Sequence, residues 1–219
     1  KCKDCLIYSK TYIMKKLLLL LFLGFTLVGF SQTTLIPDPN FEQALIDLGY
    51  DTAPINGSVP TANISSVTFL DVRNKNISDL TGIEGFNTLT TLYCFGNQLT
   101  SLDVSNNTEL NILDCQNNQL TSLDFSGANA LTSLSCSLNQ LTSLDFNGAN
   151  ALTFLYCDFN PLTSLDVSNN IALTDLSCTD NQLTSLDLSN NTALTFLFCN
   201  RNQLTNLDIR NGNNEALIK

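Results

Sequence analysis

The chain has 219 residues, enough for one domain; 43% are hydrophobic and 14% charged, and neither histidine nor tryptophan occurs. Without histidine there is no Ser-His-Asp or Cys-His nucleophile arrangement, no imidazole general base and no His-ligated metal site. The net charge is -10, and from Gln32 onward five basic residues (Arg73, Lys75, Arg201, Arg210, Lys219) face nineteen acidic ones, which excludes nucleic acid as a partner.

In chain order, residues 1–13 come first, with Cys2 and Cys5 in a C-x-x-C spacing. No fold surrounds that pair, so the segment reads as upstream sequence ahead of a start at Met14. From Met14, two lysines precede an apolar run, Leu17 to Phe30, and small residues follow. That order predicts a signal peptide over 14–31, with Gly29 and Ser31 at the −3 and −1 positions of a cleavage before Gln32. A transmembrane anchor is the alternative, but the run is short of the roughly 20 residues a spanning helix needs. The membrane is then met only in transit, and the product is secreted or held at the cell surface.

Residues 32–66 are expected to form an N-terminal helical cap. In Asp38-Pro39-Asn40-Phe41, Asp38 is placed to cap a helix, Pro39 to occupy its first position, and Gly49 to end it. Phe41, Leu45 and Leu48 would form its apolar face.

Residues 67–211 are expected to be repeats. The first unit, Leu70 to Thr91, has 22 residues, with Lys75 where later units carry asparagine. After it, Cys94, Cys115, Cys136, Cys157, Cys178 and Cys199 are spaced by 21 residues without deviation. Asn97, Asn118, Asn139, Asn160, Asn181 and Asn202 share the period, as does a Leu-Asp pair from Leu102 to Leu207. A fixed period of this kind settles the architecture. Residues 212–219 stop without an amphipathic cap and read as a truncated end, so the last rung is a candidate site of self-association.

One unit runs L-T-x-L-x-C-x-x-N-Q-L-T-S-L-D-V-S-N-N-x-x, and its two halves repeat one logic. This closely resembles a short bacterial leucine-rich-repeat class with a nested 21-residue unit; IPDPNFEQALIDLGYD resembles the internalin-like cap of secreted members. Members of this type often continue into a type IX secretion sorting domain. The resemblance implies a right-handed, mainly β solenoid. Alternation of apolar and outward residues in L-x-C and L-D-V agrees, and predicts two short strands per rung in two narrow parallel sheets. Each ladder asparagine is expected to hydrogen-bond the backbone of its turn.

Three features could carry chemistry. The cysteine column reads as buried structural thiols, with rung-to-rung disulfides or a metal site as alternatives. The aspartate column (Asp103, Asp124, Asp145, Asp166, Asp187, Asp208) needs something to offset like-charge repulsion, either neighbouring hydroxyls or bound cations. A glycosidase pair of carboxylates would need a cleft that a flat wall lacks.

The third feature is a contrast between the two walls. T-S-L-D recurs five times in the second half-unit, while the outward positions of the first half-unit vary. Exposed aromatics mark interaction surfaces. The expected ligand-binding face comprises Tyr93, Phe95, Asp114, Phe154, Tyr156, Asp158, Phe159, Asp175, Asp180, Phe196, Phe198 and Arg201, with drift among duplicated units as the alternative. The reading is a non-catalytic recognition or adhesion module that takes a protein or glycan ligand and needs no cofactor. A passive spacer is the next reading and a hydrolase the last.

Overall fold

Asp38 opens the first helix. Its Oδ1 accepts from the N–H groups of Asn40 (2.8 Å) and Phe41 (3.0 Å), and Pro39 starts helix α1, Pro39–Asp47. Gly49, at φ +80°, supplies the left-handed residue past its end. Because α1 stops at Asp47, Leu48 is the C-cap and lies in solvent; Ala44 joins Phe41 and Leu45 on the buried face instead. This corrects the expected apolar face.

A computed structural model describes residues 32–212, and Thr33 onward forms one unit. The expected upstream segment 1–13, the expected signal peptide 14–31 and the chain beyond Gly212 lie outside the described residues. Within 32–212 no helix is long and apolar enough to cross a membrane.

Ahead of α1 lies strand β1 (Thr33–Leu35), which pairs antiparallel with β2 (Ser58–Pro60); the short helix α2 (Thr61–Ile64) follows. Glu42 is fully buried on α1, and its carboxylate accepts from the N–H groups of Asn56 (2.6 Å) and Gly57 (2.7 Å). A buried carboxylate is tolerated when donors satisfy it, and here it fastens the helix to the returning loop.

The solenoid then supplies a first-wall strand in every unit and a second-wall strand in some. These are β3 (Phe69–Asp71), β4 (Thr91–Tyr93), β5 (Ser101–Asp103), β6 (Ile112–Asp114), β7 (Ser122–Asp124), β8 (Ser133–Ser135), β9 (Phe154–Tyr156), β10 (Asp175–Ser177), β11 (Ser185–Asp187), β12 (Phe196–Phe198) and β13 (Asn206–Asp208). Strands β3, β4, β6, β8, β9, β10 and β12 form one parallel sheet in that spatial order. The register is strict: Leu70, Leu92, Leu113, Leu134, Leu155, Leu176 and Leu197 stand on one line. These leucines are at most 3% exposed, each contributing about 2 kcal/mol by burial.

The second wall is not continuous. Among the described residues, only β5 with β7 and β11 with β13 pair as strands on this wall. Just before the second strand a backbone bond links units to their predecessors, as in Gln119 N–H to Leu99 and Gln182 N–H to Leu162, both 2.9 Å. Pro161 occupies that register and has no N–H to give. The gap in pairing spans 143–145 and 164–166, on either side of it. Phe125, directly after β7, and Phe146, beside the gap, stand where Val104 and Val167 stand in other units, with ring centroids 5.8 Å apart.

The asparagines do more than shape their own turns. Asn139 Nδ2 donates to the Cys136 carbonyl of its own unit (3.0 Å) and the Cys115 carbonyl of the unit before (3.1 Å). Its Oδ1 accepts from Leu120 N–H (2.9 Å). Asn118, Asn160, Asn181 and Asn202 repeat the pattern. Asn97 starts the ladder, accepting from Lys75 and Ile77 N–H. Lys75 itself reaches Asp47 of α1 at 3.2 Å.

Candidate binding wall on the first sheet

Three outward columns rise along the first sheet, and their members are fixed by the strand register. One contains Phe69, Thr91, Ile112, Ser133, Phe154, Asp175 and Phe196; the next contains Asp71, Tyr93, Asp114, Ser135, Tyr156, Ser177 and Phe198. A third follows the core cysteines: Arg73 in the first unit, then Phe95, Gln116, Ser137, Asp158, Thr179 and Asn200.

Five expected rings stand in solvent: Phe154, Tyr156, Phe159, Phe196 and Phe198, between 37% and 48% exposed. Phe154, Tyr156, Phe196 and Phe198 lie two rungs apart, about 10 Å, with Asp175 and Ser177 between them. Tyr93, Phe95 and Asp114 are half-buried near the other end of the wall.

The structure also gathers residues that the sequence reading passed over. Phe69 packs edge-on against Tyr93 with centroids 5.5 Å apart. Arg73 pairs with Asp71 through both nitrogens (Nε to Oδ1 2.7 Å, Nη2 to Oδ2 2.6 Å), and its guanidinium lies 5.6 Å from the Tyr93 centroid and 5.2 Å from that of Phe95. The Arg73 guanidinium beside it holds the Asp71 carboxyl below the usual carboxylate range. The signal for these three was the Phe-Leu-Asp-Val strand of the 22-residue unit, hidden because Val72 stands where a cysteine marks the later units.

Other expected site residues are engaged within the wall. Asp158 accepts from the Ser177 hydroxyl (2.5 Å), the Thr179 N–H (2.8 Å) and the Ser137 hydroxyl (3.3 Å), so it clamps three rungs together. Asp175 accepts from the hydroxyl of Thr174 (2.7 Å), and Asp180 pairs with the exposed Arg201 (3.3 Å). Phe159, Asp180 and Arg201 share a further property. With Asn74, Gly96, Asn117 and Leu138 they occupy one turn position whose φ lies between 52° and 69° throughout. For leucine and phenylalanine that left-handed backbone is strained.

The polar and thiol columns differ in kind. Five ladder thiols, Cys94 to Cys178, are free and buried, and Cys199 is half-buried. Burial raises these buried thiols, Cys136 to about 12, which keeps them protonated. In the aspartate column hydroxyls take part, Ser168 at Asp166 and Ser126 at Asp124, though these serines follow the aspartate and lie outside the T-S-L-D run. Each Oδ1 also accepts from the backbone N–H two residues on, as Asp103 does from Ser105 (2.9 Å) and Asp187 from Ser189 (2.9 Å). These are Asx turns, and the same bond recurs at Asp124, Asp145, Asp166 and Asp208.

One depression of about 450 Å³ opens on the first wall, between Arg73, Tyr93 and Phe95 on one side and Tyr156 on the other. Its floor is Ile112, Leu113, Asp114, Ser133 and Ser135.

Known proteins share this architecture. The family Leucine Rich repeats (2 copies) matches residues 87–127. Internalin J of Listeria monocytogenes is 42% identical over 51 residues, 23% of this chain and 6% of that protein. The functional domain of InlJ from Listeria monocytogenes, which includes a cysteine ladder, superposes with a TM-score of 0.65 at 35% identity. That match covers 82% of this chain and 45% of the InlJ domain. Internalin C2 of the same organism shares the fold (TM-score 0.56, 22% identity, 80% of this chain and 91% of that one). The chain therefore spans less than half of the InlJ domain. With its 21-residue period, inward cysteine column and single parallel sheet of first-half strands, the chain is an internalin-like leucine-rich-repeat solenoid.

Proposed function

We propose that this protein is an exported recognition module that binds a partner protein through its first-sheet wall, without catalysis. The observation that carries the reading is the contrast between walls. The first presents exposed rings on its parallel strands (Phe69, Phe154, Tyr156, Phe196 and Phe198) and Phe159 on the adjoining turn, whereas the second repeats Ser-Leu-Asp with each carboxylate turned onto its own backbone. Rings fixed on a sheet lose little entropy on binding and bury much apolar area, which suits them as contact residues. Phe154, Tyr156, Phe196 and Phe198 supply that area; Asp114, Asp175 and Arg201 supply polarity. The leucine-rich-repeat fold supports a protein-binding role in general terms. Export rests on the lysine-led apolar run from Met14, with type IX secretion proposed for a longer form.

A combined array of surface proteins and glycans tests this, using the protein and a variant with Phe154, Tyr156, Phe196 and Phe198 all changed to Ser. Protein hits lost in a still-folded variant support the reading. Glycan hits lost in the same way replace the partner class. Binding unaltered in the variant moves the site off this wall, and no binding by either favours a passive spacer.

A further inference from the structure

Asp71 and Asp114 occupy the same outward column, two rungs apart, with Tyr93 between them. At Asp71 the residue two places on is Arg73, which neutralises the carboxylate and lies against Tyr93 and Phe95. The wall thus already holds one guanidinium, seated on a carboxylate and against the ring of the next rung. At Asp114 the residue in that place is Gln116, whose N–H (3.3 Å) and Nε2 (3.2 Å) donate to the carboxylate but bring no charge. None of the ion pairs among the described residues includes Asp114.

The space beside Asp114 is also shaped. On its far side the next rung carries Ser133 and Ser135, which lack bulk, and the wall rises again at Tyr156, three rungs or about 14 Å from Tyr93. These residues line the 450 Å³ depression.

We propose that this depression is a receptor for a basic side chain, an arginine or lysine of the partner protein, seated on Asp114 between Tyr93 and Tyr156. The proposal rests on the reading of the first wall as the binding wall, and names the chemistry of what it takes. A cation gains from the carboxylate and from ring faces together, more so where water is displaced. Burial raises the half-buried Asp114 carboxyl above its ordinary value even against the pull of the Gln116 bonds and of Arg73 across the depression, an opposition to its charge that a directly seated cation relieves. The acid excess of the chain steers a basic partner toward it.

The probe is N-acetyl-arginine methylamide, with the citrulline analogue as its neutral counterpart, titrated against the isotope-labelled protein. Saturable amide shifts at Gln116, Ser133 and Ser135 are expected with arginine, at least five-fold weaker with citrulline. Asp114→Asn, and Ser135→Phe, which fills the depression, should each abolish the difference while leaving distant amide shifts in place. Equal responses to both probes, or an arginine response that survives Asp114→Asn, overturn the proposal. Array hits lost in the four-ring variant, together with no arginine-specific shift, reject the basic-side-chain site and leave the wall as the binding surface. An arginine-specific shift lost in Asp114→Asn sustains the site even where the array of partners yields nothing.

Discussion

Asp38 reaches forty residues along the chain to Ser78: its Oδ2 accepts from both the N–H (2.8 Å) and the hydroxyl (2.7 Å) of that residue, and from Asp79 N–H (3.0 Å). With Oδ1 capping α1, one carboxylate joins the helical cap to the first repeat. Burial pushes the Asp38 carboxyl up, but the bonds from Ser78, Phe41 and Asn40 outweigh it and hold the group below its ordinary value. A depressed folded-state pKa adds stability above the unfolded value, lost as pH falls through the folded one. Asp38→Ala should cost about 2–4 kcal/mol at neutral pH. The wild-type advantage should shrink below about pH 4. Thermal midpoints of both proteins from pH 3 to 7 check this; a constant difference across that range contradicts it.

The asparagine ladder should be weakest at its last described member. Asn139 is buried and satisfies three backbone groups in two units, whereas Asn202 is half-buried. Asn139→Ala leaves the Leu120 N–H without its partner, while the Cys115 and Cys136 carbonyls keep Asn118 and Asn160 as their remaining donors, at a cost of roughly 1–3 kcal/mol. Asn202→Ala should cost about half as much or less. Urea midpoints decide it, and equal losses would show that burial does not set the value of a rung.

Phe159 combines an exposed ring with φ +54°. Asn is one of the few side chains that accept that backbone readily. Phe159→Asn is therefore expected to stabilise the protein by about 1 kcal/mol while weakening partner binding. A lower thermal midpoint in the variant would mean that the ring packs more than it strains.

Thiol chemistry should separate one cysteine from the rest. In a variant with Cys2 and Cys5 changed to Ser, a disulfide reagent at pH 8 should modify Cys199 in the native state. The five buried thiols should react only on unfolding, since neither exposure nor thiolate is available to them. Rapid reaction of more than one thiol in the folded protein would contradict the close packing of the column.

What the sequence made legible follows from period. Twenty-one-residue spacing fixed which leucines and cysteines face inward, because an inward position must stay apolar in every unit. Asp38 and Pro39 were equally plain, since helix starts have local signals. Phe69, Asp71 and Arg73 were not, because their unit has 22 residues and lacks the cysteine marker. The backbone partner of each column aspartate was missed for another reason: an Asx turn is a matter of backbone angle, and the adjacent serines drew attention to their hydroxyls. The left-handed position was disguised by its occupants, since Leu138, Phe159 and Arg201 are residues that such angles ordinarily exclude. Pro161 was visible, but its effect on the second wall needed knowledge of which amide it replaced.

The bonds of each asparagine end one unit away: the Asn139 side chain bonds its own unit and the one before it, and its backbone N–H the one after. A block of 21 residues can thus be excised or duplicated, and the cut ends meet partners of the same kind. Gene recombination between near-identical units would therefore yield folded products of different lengths at once. The wall's reach becomes a heritable quantity, adjusted by copy number, while the Asp38–Ser78 clamp, which has no periodic counterpart, must be inherited intact.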